Sequence, residues 1–233
     1  MCGRFTFAPE PSALLTVFPD LVPPQGLPAR YNVAPSNRVL TVTASTGRPA
    51  YEMLSWGLVP SWASDRRIGS SLINARSESV GEKPAFRAAF RARRCLMLAD
   101  GFYEWRVDGR RKRPYWFHLA SGGVFAFAGV WECWKVEAEP LRSCALLTTE
   151  ANATVAPVHH RMPVILDASR HAAWLDPDTS LESLMAMLVP LPGDQLVGHE
   201  VSSLVSSPRN DSPACIAPVD PDGGVQVETL SLF

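Results

Sequence analysis

The sequence predicts a strand-rich α+β fold, with a mixed or antiparallel sheet curled around a cleft and a few short helices at its periphery. Three observations carry this. Short β-branched or apolar runs recur along the chain, bounded by Gly, Pro, Asn and Asp. Helical periodicity is confined to four short stretches. The 21 prolines are scattered, which breaks the chain into many turns without marking a linker.

In chain order, residues 12–18 form the first helical pattern. Residues 39–43 are β-branched and apolar and read as a strand. A turn at Thr46-Gly47-Arg48-Pro49 leads into a second strand over 51–56. Residues 84–93 have helical spacing. The run 95–99 is continuously apolar, as a strand buried on both faces would be, and leads directly into Gly101-Phe102-Tyr103-Glu104-Trp105. Asp108-Gly109 is a hairpin signal, with 115–119 as the returning strand. Residues 124–131 and 144–149 are two further buried-strand candidates, and 169–175 and 181–188 two further helices. Beyond Pro190 only 201–205 and 225–230 show apolar patterning.

The chain has 233 residues, 46% hydrophobic and 19% charged, enough for a self-sufficient core. We read it as one domain over 1–233, with a core over about 2–220. The five cysteines are odd in number and contain no Cys-x-x-Cys pair, which speaks against a disulfide framework and a cysteine zinc site. No metal and no cofactor are expected. Neither a basic-then-apolar leader nor a membrane-length apolar run is visible, so a cytoplasmic protein is expected.

The net charge of −1 hides an asymmetry. Residues 1–116 carry 17 Lys and Arg against 9 Asp and Glu, whereas 117–233 carry 5 against 14. A basic half of this kind can track phosphates although the whole chain is neutral. The basic run 106–113 is equally well explained as a solvated hairpin tip.

The chain begins Met1-Cys2-Gly3-Arg4. Removal of Met1 would leave a free α-amine and a thiol on one residue. Two carbons separate nitrogen from sulfur, so both can add to one aldehyde carbon and close a five-membered thiazolidine. The second addition is intramolecular, with an effective molarity of roughly 10⁵ M or more when well oriented. An α-amine has a pKa of about 7.7–8.0, against about 10.4 for lysine, so far more of it is nucleophilic at neutral pH.

Four further motifs supply the other groups that imine chemistry on a phosphodiester chain requires. They are Arg30-Tyr31-Asn32-Val33-Ala34-Pro35, Asn74-Ala75-Arg76-Ser77-Glu78, Asp100-Gly101-Phe102-Tyr103-Glu104-Trp105, and His159-His160-Arg161-Met162-Pro163. With these residues, and with Trp56-Gly57, the chain resembles the SOS-response-associated peptidase (SRAP) family over about residues 2–220.

The resemblance implies that family's fold and a protein that processes abasic sites in single-stranded DNA, forming a covalent thiazolidine through Cys2. Cys2 matches the crosslinking cysteine. Asn74 matches the asparagine that holds the sugar or opened aldehyde. Glu104 matches the general acid/base that opens the deoxyribose, and His159 matches the catalytic histidine. His160 fills the variable position, and His118 and His171 lack such a context. Arg4, Arg76 and Arg161 match arginines that grip phosphates, and Trp62 resembles an aromatic that stacks on a base. Family members often carry Val-Asn where this chain has Val205-Ser206.

Partial burial among Phe102, Tyr103 and Trp105 would raise the Glu104 pKa toward neutrality. Strand alternation puts Glu104 on the face of Phe102, opposite Tyr103 and Trp105. The alternative role for Glu104 is a structural ion pair with Arg76 or Arg106.

The expected partner is single-stranded DNA with abasic sites, and the protein is expected to be a monomer with no membrane partner, nucleoid-associated when on DNA. AP-lyase activity and autocatalytic removal of Met1 belong to the same reading. A rival is an N-terminal-nucleophile cysteine peptidase or amidohydrolase, which would need an oxyanion hole. A second rival is a non-catalytic binding module. A metalloenzyme is more distant, because Cys2, Glu104 and His159 lack metal-ligand spacing.

Overall fold

Continuous apolar runs set the centre of the fold, and short segments are recruited around them. The computed structural model describes residues 2–135 and 139–219. Its strands are β1 (Phe5–Phe7), β2 (Arg30–Val33), β3 (Arg38–Thr43), β4 (Ala50–Trp56), β5 (Asn74–Arg76), β6 (Arg94–Ala99), β7 (Gly101–Asp108), β8 (Arg111–Leu119), β9 (Phe125–Trp134), β10 (Leu141–Glu150), β11 (Arg161–Pro163), β12 (Ile165–Leu166) and β13 (Leu196–Glu200). The α-helices are short: α1 (Leu14–Val17), α2 (Arg87–Ala92), α3 (His171–Leu175) and α4 (Leu181–Ala186).

The larger sheet is mixed and closes on itself. β10 runs parallel to β4, then the order β4-β3-β6-β9 returns antiparallel to β10. Closure removes the free edges that a five-membered open sheet would present. β10 is the hub: beyond its pairing with β4 it takes β5 in parallel on one side and β11 antiparallel on the other. Its residues 143–149 are buried, as are nine of the ten residues of β9, because layers cover both faces.

The second sheet is antiparallel, in the order β13-β8-β7-β1-β2. Its inner face meets the ring through Phe5, which lies 5.1 Å from Trp56 and 5.8 Å from Phe127 between ring centroids. Phe102 and Phe117 add to this shared core. The outer face carries Tyr103, Trp105 and Trp116, covered by Val201, Val205 and Cys215 of the C-terminal segment. Alternation along β7 therefore sends Phe102 inward and its neighbours outward, as the sequence predicts.

Every strand expected from an apolar run is present, and the fold class is the expected strand-rich α+β. The helices are shorter than their periodicity suggests. The pattern over 84–93 yields only Arg87–Ala92, and 12–18 divides into a 3₁₀ turn and one turn of α-helix. Residues 201–205 form a single bridge at Val201 followed by a 3₁₀ turn at Ser203–Ser206 rather than an apolar element of their own. The patterned stretch 225–230 lies outside the described residues.

Candidate functional site

The two sheets bring the N-terminal residues and three distant motifs together. β1 lies antiparallel to β7, with Phe5 opposite Phe102 and the Tyr103 N–H donating to the Arg4 carbonyl at 3.0 Å. This sets Cys2, just before β1, beside Glu104 on β7. Cys2 is fully buried. Its Sγ–H donates to the Arg4 carbonyl at 3.5 Å.

Asn74 is delivered by a loop whose shape depends on Trp56-Gly57. The Trp56 indole N–H donates to the Ile73 carbonyl at 2.9 Å, fixing the residue before Asn74. Gly57 sits at φ +130°, and a Cβ there would stand 2.7 Å from the Gly69 carbonyl oxygen. Only glycine permits both the dihedral and the approach. β5 then pairs with β10, Asn74 opposite Leu146, and the Asn74 amide donates to the Cys2 carbonyl at 2.8 Å. Asn74 Oδ1 is buried and has no hydrogen-bond partner among the described residues.

Glu104 is 2% exposed. Burial pushes its carboxyl up to about 7. His159 Nδ1 lies 3.8 Å from Glu104 Oε1. The same Nδ1 is 3.0 Å from both the N–H and the carbonyl of Arg161, which fix the ring against the start of β11. Burial holds the His159 imidazole below its ordinary range, so it is mainly neutral at pH 7. Burial, and secondarily the Glu104 carboxylate, push the Cys2 thiol well above its usual value. The buried sulfur is thus a thiol, and any ring closure needs a base to take its proton.

The four residues expected to do chemistry therefore converge as two linked pairs, Cys2 with Asn74 and Glu104 with His159. Arg106, one of the two ion-pair partners considered for Glu104, instead lies over the Tyr115 ring at 5.2 Å. His160 is exposed and stacks on His159 at 4.5 Å. His171 is buried against Phe18, and His118 stacks on Trp116.

The arginines expected to grip phosphate divide. Arg76 is exposed. Arg161 is 8% exposed and its guanidinium is engaged internally, by Glu78 at 2.5 and 3.0 Å and by the Thr148 carbonyl at 2.6 Å. Arg4 donates to Asn32 Oδ1 and to the Val205 carbonyl, both at 2.8 Å, and to the Ser206 carbonyl at 3.4 Å. Position 206 meets Arg4 through its backbone, so the departure from Val-Asn leaves this contact intact. Trp62 is 62% exposed on its loop.

Two organising residues carried no assigned role in the sequence. Asn32 is buried, and its amide donates to the carbonyls of Val205, Ser207 and Asn210, clamping the C-terminal segment over the outer face. Glu78 holds Arg161. Both lie inside the quoted motifs, and an amide or carboxylate beside strand residues was the available signal. Among the described residues no group of three His, Cys, Asp or Glu side chains is arranged to hold a metal ion.

Fold and site together define a class: a strand-rich α+β protein with a closed mixed ring, whose second residue is a buried cysteine set beside a near-neutral carboxyl. The chain belongs to the SOS response associated peptidase (SRAP) family, whose model matches residues 1–208. It is 42% identical over 221 residues to the abasic site processing protein YoqW of Bacillus subtilis, covering 93% of this chain and 99% of that one. It is 31% identical over 192 residues to the abasic site processing protein HMCES of Gallus gallus, covering 72% of this chain and 57% of that one. In fold it resembles a crystal structure from Bacteroides thetaiotaomicron, with a TM-score of 0.83, 24% identity, and coverage of 94% of this chain and 100% of the other. No helix among the described residues is long and apolar enough to cross a membrane.

Proposed function

We propose that this protein processes abasic sites in single-stranded DNA by forming a thiazolidine between Cys2, freed of Met1, and the opened deoxyribose. The observation that carries this is the placement of Cys2 against Glu104 and Asn74. Relatives bearing the name abasic site processing protein support the substrate class.

Closed abasic deoxyribose hides its aldehyde as a hemiacetal. With a pKa of about 7, Glu104 is populated in both forms at neutral pH, so it can donate to the ring oxygen and accept from the C1′ hydroxyl. Asn74 Oδ1, which has no hydrogen-bond partner among the described residues, accepts from a sugar hydroxyl in this reading. The Cys2 α-amine adds to the aldehyde carbon, and loss of one water gives the imine. The Cys2 sulfur then adds to the same carbon, its proton passing to the imine nitrogen by way of Glu104 or His159. The net change is aldehyde plus aminothiol giving thiazolidine plus water. Because the thiol is held protonated, the amine acts first.

Arg76 and Trp62 supply the exposed contacts to phosphate and base in this reading, while Arg4 and Arg161 add positive potential from internally bonded positions. The protein acts as one domain and as a monomer, in the cytoplasm and on the nucleoid. Strand cleavage by β-elimination from the imine, and autocatalytic loss of Met1, are further activities of the same centre.

The test uses a single-stranded oligonucleotide with one abasic site, denaturing gels and intact mass. Wild type lacking Met1 should give a heat-stable adduct of mass protein plus DNA minus water, and Cys2→Ala none. An adduct of equal yield from Cys2→Ala would overturn the assignment.

A further inference from the structure

We propose that the β7–β8 hairpin is a second DNA contact, its Glu104-bearing face tracking the phosphodiester backbone of the strand that flanks the lesion. The inference rests on the reading that the substrate is abasic single-stranded DNA.

The hairpin has two faces, and the register assigns each residue to one. Glu104 is opposite Tyr115, Arg106 opposite Arg113, and Asp108 opposite Arg111. Residues directly opposed on antiparallel strands project to the same side, and alternate residues share a face. One face therefore runs from buried Phe102 and Phe117, past Glu104 and Tyr115, to Arg106 and Arg113 and then to Arg111 and Asp108 at the tip. Gly109 turns the chain there at φ +59°, in the first loop position where a type II′ turn needs glycine. The opposite face carries Trp105, Val107 and Lys112.

The charges on the Glu104 face are not all committed. Arg113 forms an ion pair with Glu200 and lies 3.8 Å from Asp108. Arg106 and Arg111 have no carboxylate within ion-pair distance among the described residues. Arg106 lies over Tyr115, its Cζ 5.2 Å from the ring centroid, a contact that leaves its N–H donors for a further acceptor. Arg111 is exposed. Arg106 and Arg111 follow Glu104 at steps of two residues along the ribbon, each about 6.8 Å, comparable to the phosphate spacing of an extended single strand. Of the cations in the paired ladder, Arg106, Arg111 and Arg113 lie on the Glu104 face and Lys112 on the other, and the row on the Glu104 face begins beside the carboxyl assigned to the sugar.

The experiment compares wild type, Arg106→Ala/Arg111→Ala, Arg111→Ala alone and Lys112→Ala, which removes one cation from the opposite face. Thermal unfolding checks that each is folded. Binding to intact single-stranded DNA is measured against salt, and adduct formation is measured with an abasic trinucleotide and with a long abasic oligonucleotide. The double variant should lose about 1.4 from the log–log salt slope, and Arg111→Ala about 0.7, as expected for two and one lost phosphate contacts. The double variant should also form the long adduct several-fold more slowly at limiting protein, with a smaller loss on the trinucleotide, which lacks the phosphate that Arg111 would meet. Lys112→Ala should behave as wild type. A wild-type slope in the folded Arg111→Ala and double variants overturns the proposal, as does an equal loss in Lys112→Ala, which would mean diffuse charge rather than a face. Absence of any adduct from wild type would instead sink the crosslinking reading and leave the slope comparison standing.

Discussion

His159 Nδ1 and Glu104 Oε1 stand 3.8 Å apart, joining β7 of one sheet to the loop that leads into β11 of the other. Burial drives both groups toward their neutral forms, the carboxyl upward and the imidazole downward. Two titratable groups whose uncharged states are both accessible near pH 7 can pass a proton without either becoming a stranded buried ion.

Adduct formation should therefore pass through a maximum near neutral pH. The alkaline limb reflects loss of the Glu104 proton above about 7, and the acid limb protonation of the Cys2 amine. Glu104→Gln keeps the shape but cannot exchange a proton, so the rate should fall by roughly 10²-fold or more and the alkaline limb should flatten. Single-turnover gels across pH measure this, and a wild-type rate in Glu104→Gln would remove Glu104 from the chemistry.

The same shift has a consequence for folding. A carboxyl with an ordinary value of 4.5 that is raised to about 7 in the native protein binds more protons folded than unfolded between those values. Its contribution to stability is present below about 4.5 and is lost as pH rises to about 7. The loss at pH 8 is at most about 3 kcal/mol. Urea unfolding at pH 5 and pH 8 should show Glu104→Gln gaining on wild type at the higher pH. An equal difference at both pH values would mean the carboxyl is not perturbed by burial.

Much of this arrangement was legible in the sequence. β6, β9 and β10 are buried by layers on both sides, so they read as unbroken apolar runs. β1, β5 and β11 were not legible, because three residues carry no period and owe their strand character to pairing with β7 and β10. Cys2, Asn74, Glu104 and His159 were nameable from motifs, but their meeting depends on β10 accepting partners along both edges. The two arginines are the instructive case. Nothing in Arg161-Met162-Pro163 says that Glu78, in another motif, will take the guanidinium. Nothing in Gly3-Arg4 says that a segment two hundred residues later will offer its carbonyls. Side-chain type survives in the sequence, and burial arises from the topology.

Glu78 links that topology to the site. Its carboxylate takes two hydrogen bonds from Arg161, and the Arg161 backbone N–H meets His159 Nδ1. Those hydrogen bonds hold the Glu78 carboxyl below its ordinary range, so its contribution is present at neutral pH and fades as acid protonates it. The Glu78 side chain is half-exposed, and solvent screening limits the pair. Glu78→Ala should cost about 1–2 kcal/mol in urea unfolding at pH 7, chiefly by leaving buried Arg161 short of an acceptor. It should also slow adduct formation through a displaced His159, while Glu78→Asp restores part of both. Unchanged stability in Glu78→Ala would show that the Thr148 carbonyl alone satisfies Arg161.

Trp62 tests the opposite kind of residue. It is 62% exposed, so removing its ring leaves no cavity in the core. Its place on the loop between Gly57 and Asn74 sets it on the segment that delivers Asn74 to Cys2. If it stacks on a base beside the lesion, Trp62→Ala should weaken binding to single-stranded DNA by about 1–3 kcal/mol, between five- and 150-fold. Stacking involves no ion release, so the salt slope should stay at the wild-type value while the affinity falls. Thermal unfolding should be unchanged, and adduct formation at saturating DNA should keep its rate, because the ring touches neither Cys2 nor Glu104 in this reading. A drop in the saturated rate with normal affinity would place Trp62 in the positioning of Asn74 instead. That outcome would mean the exposed indole shapes the loop rather than receiving the DNA.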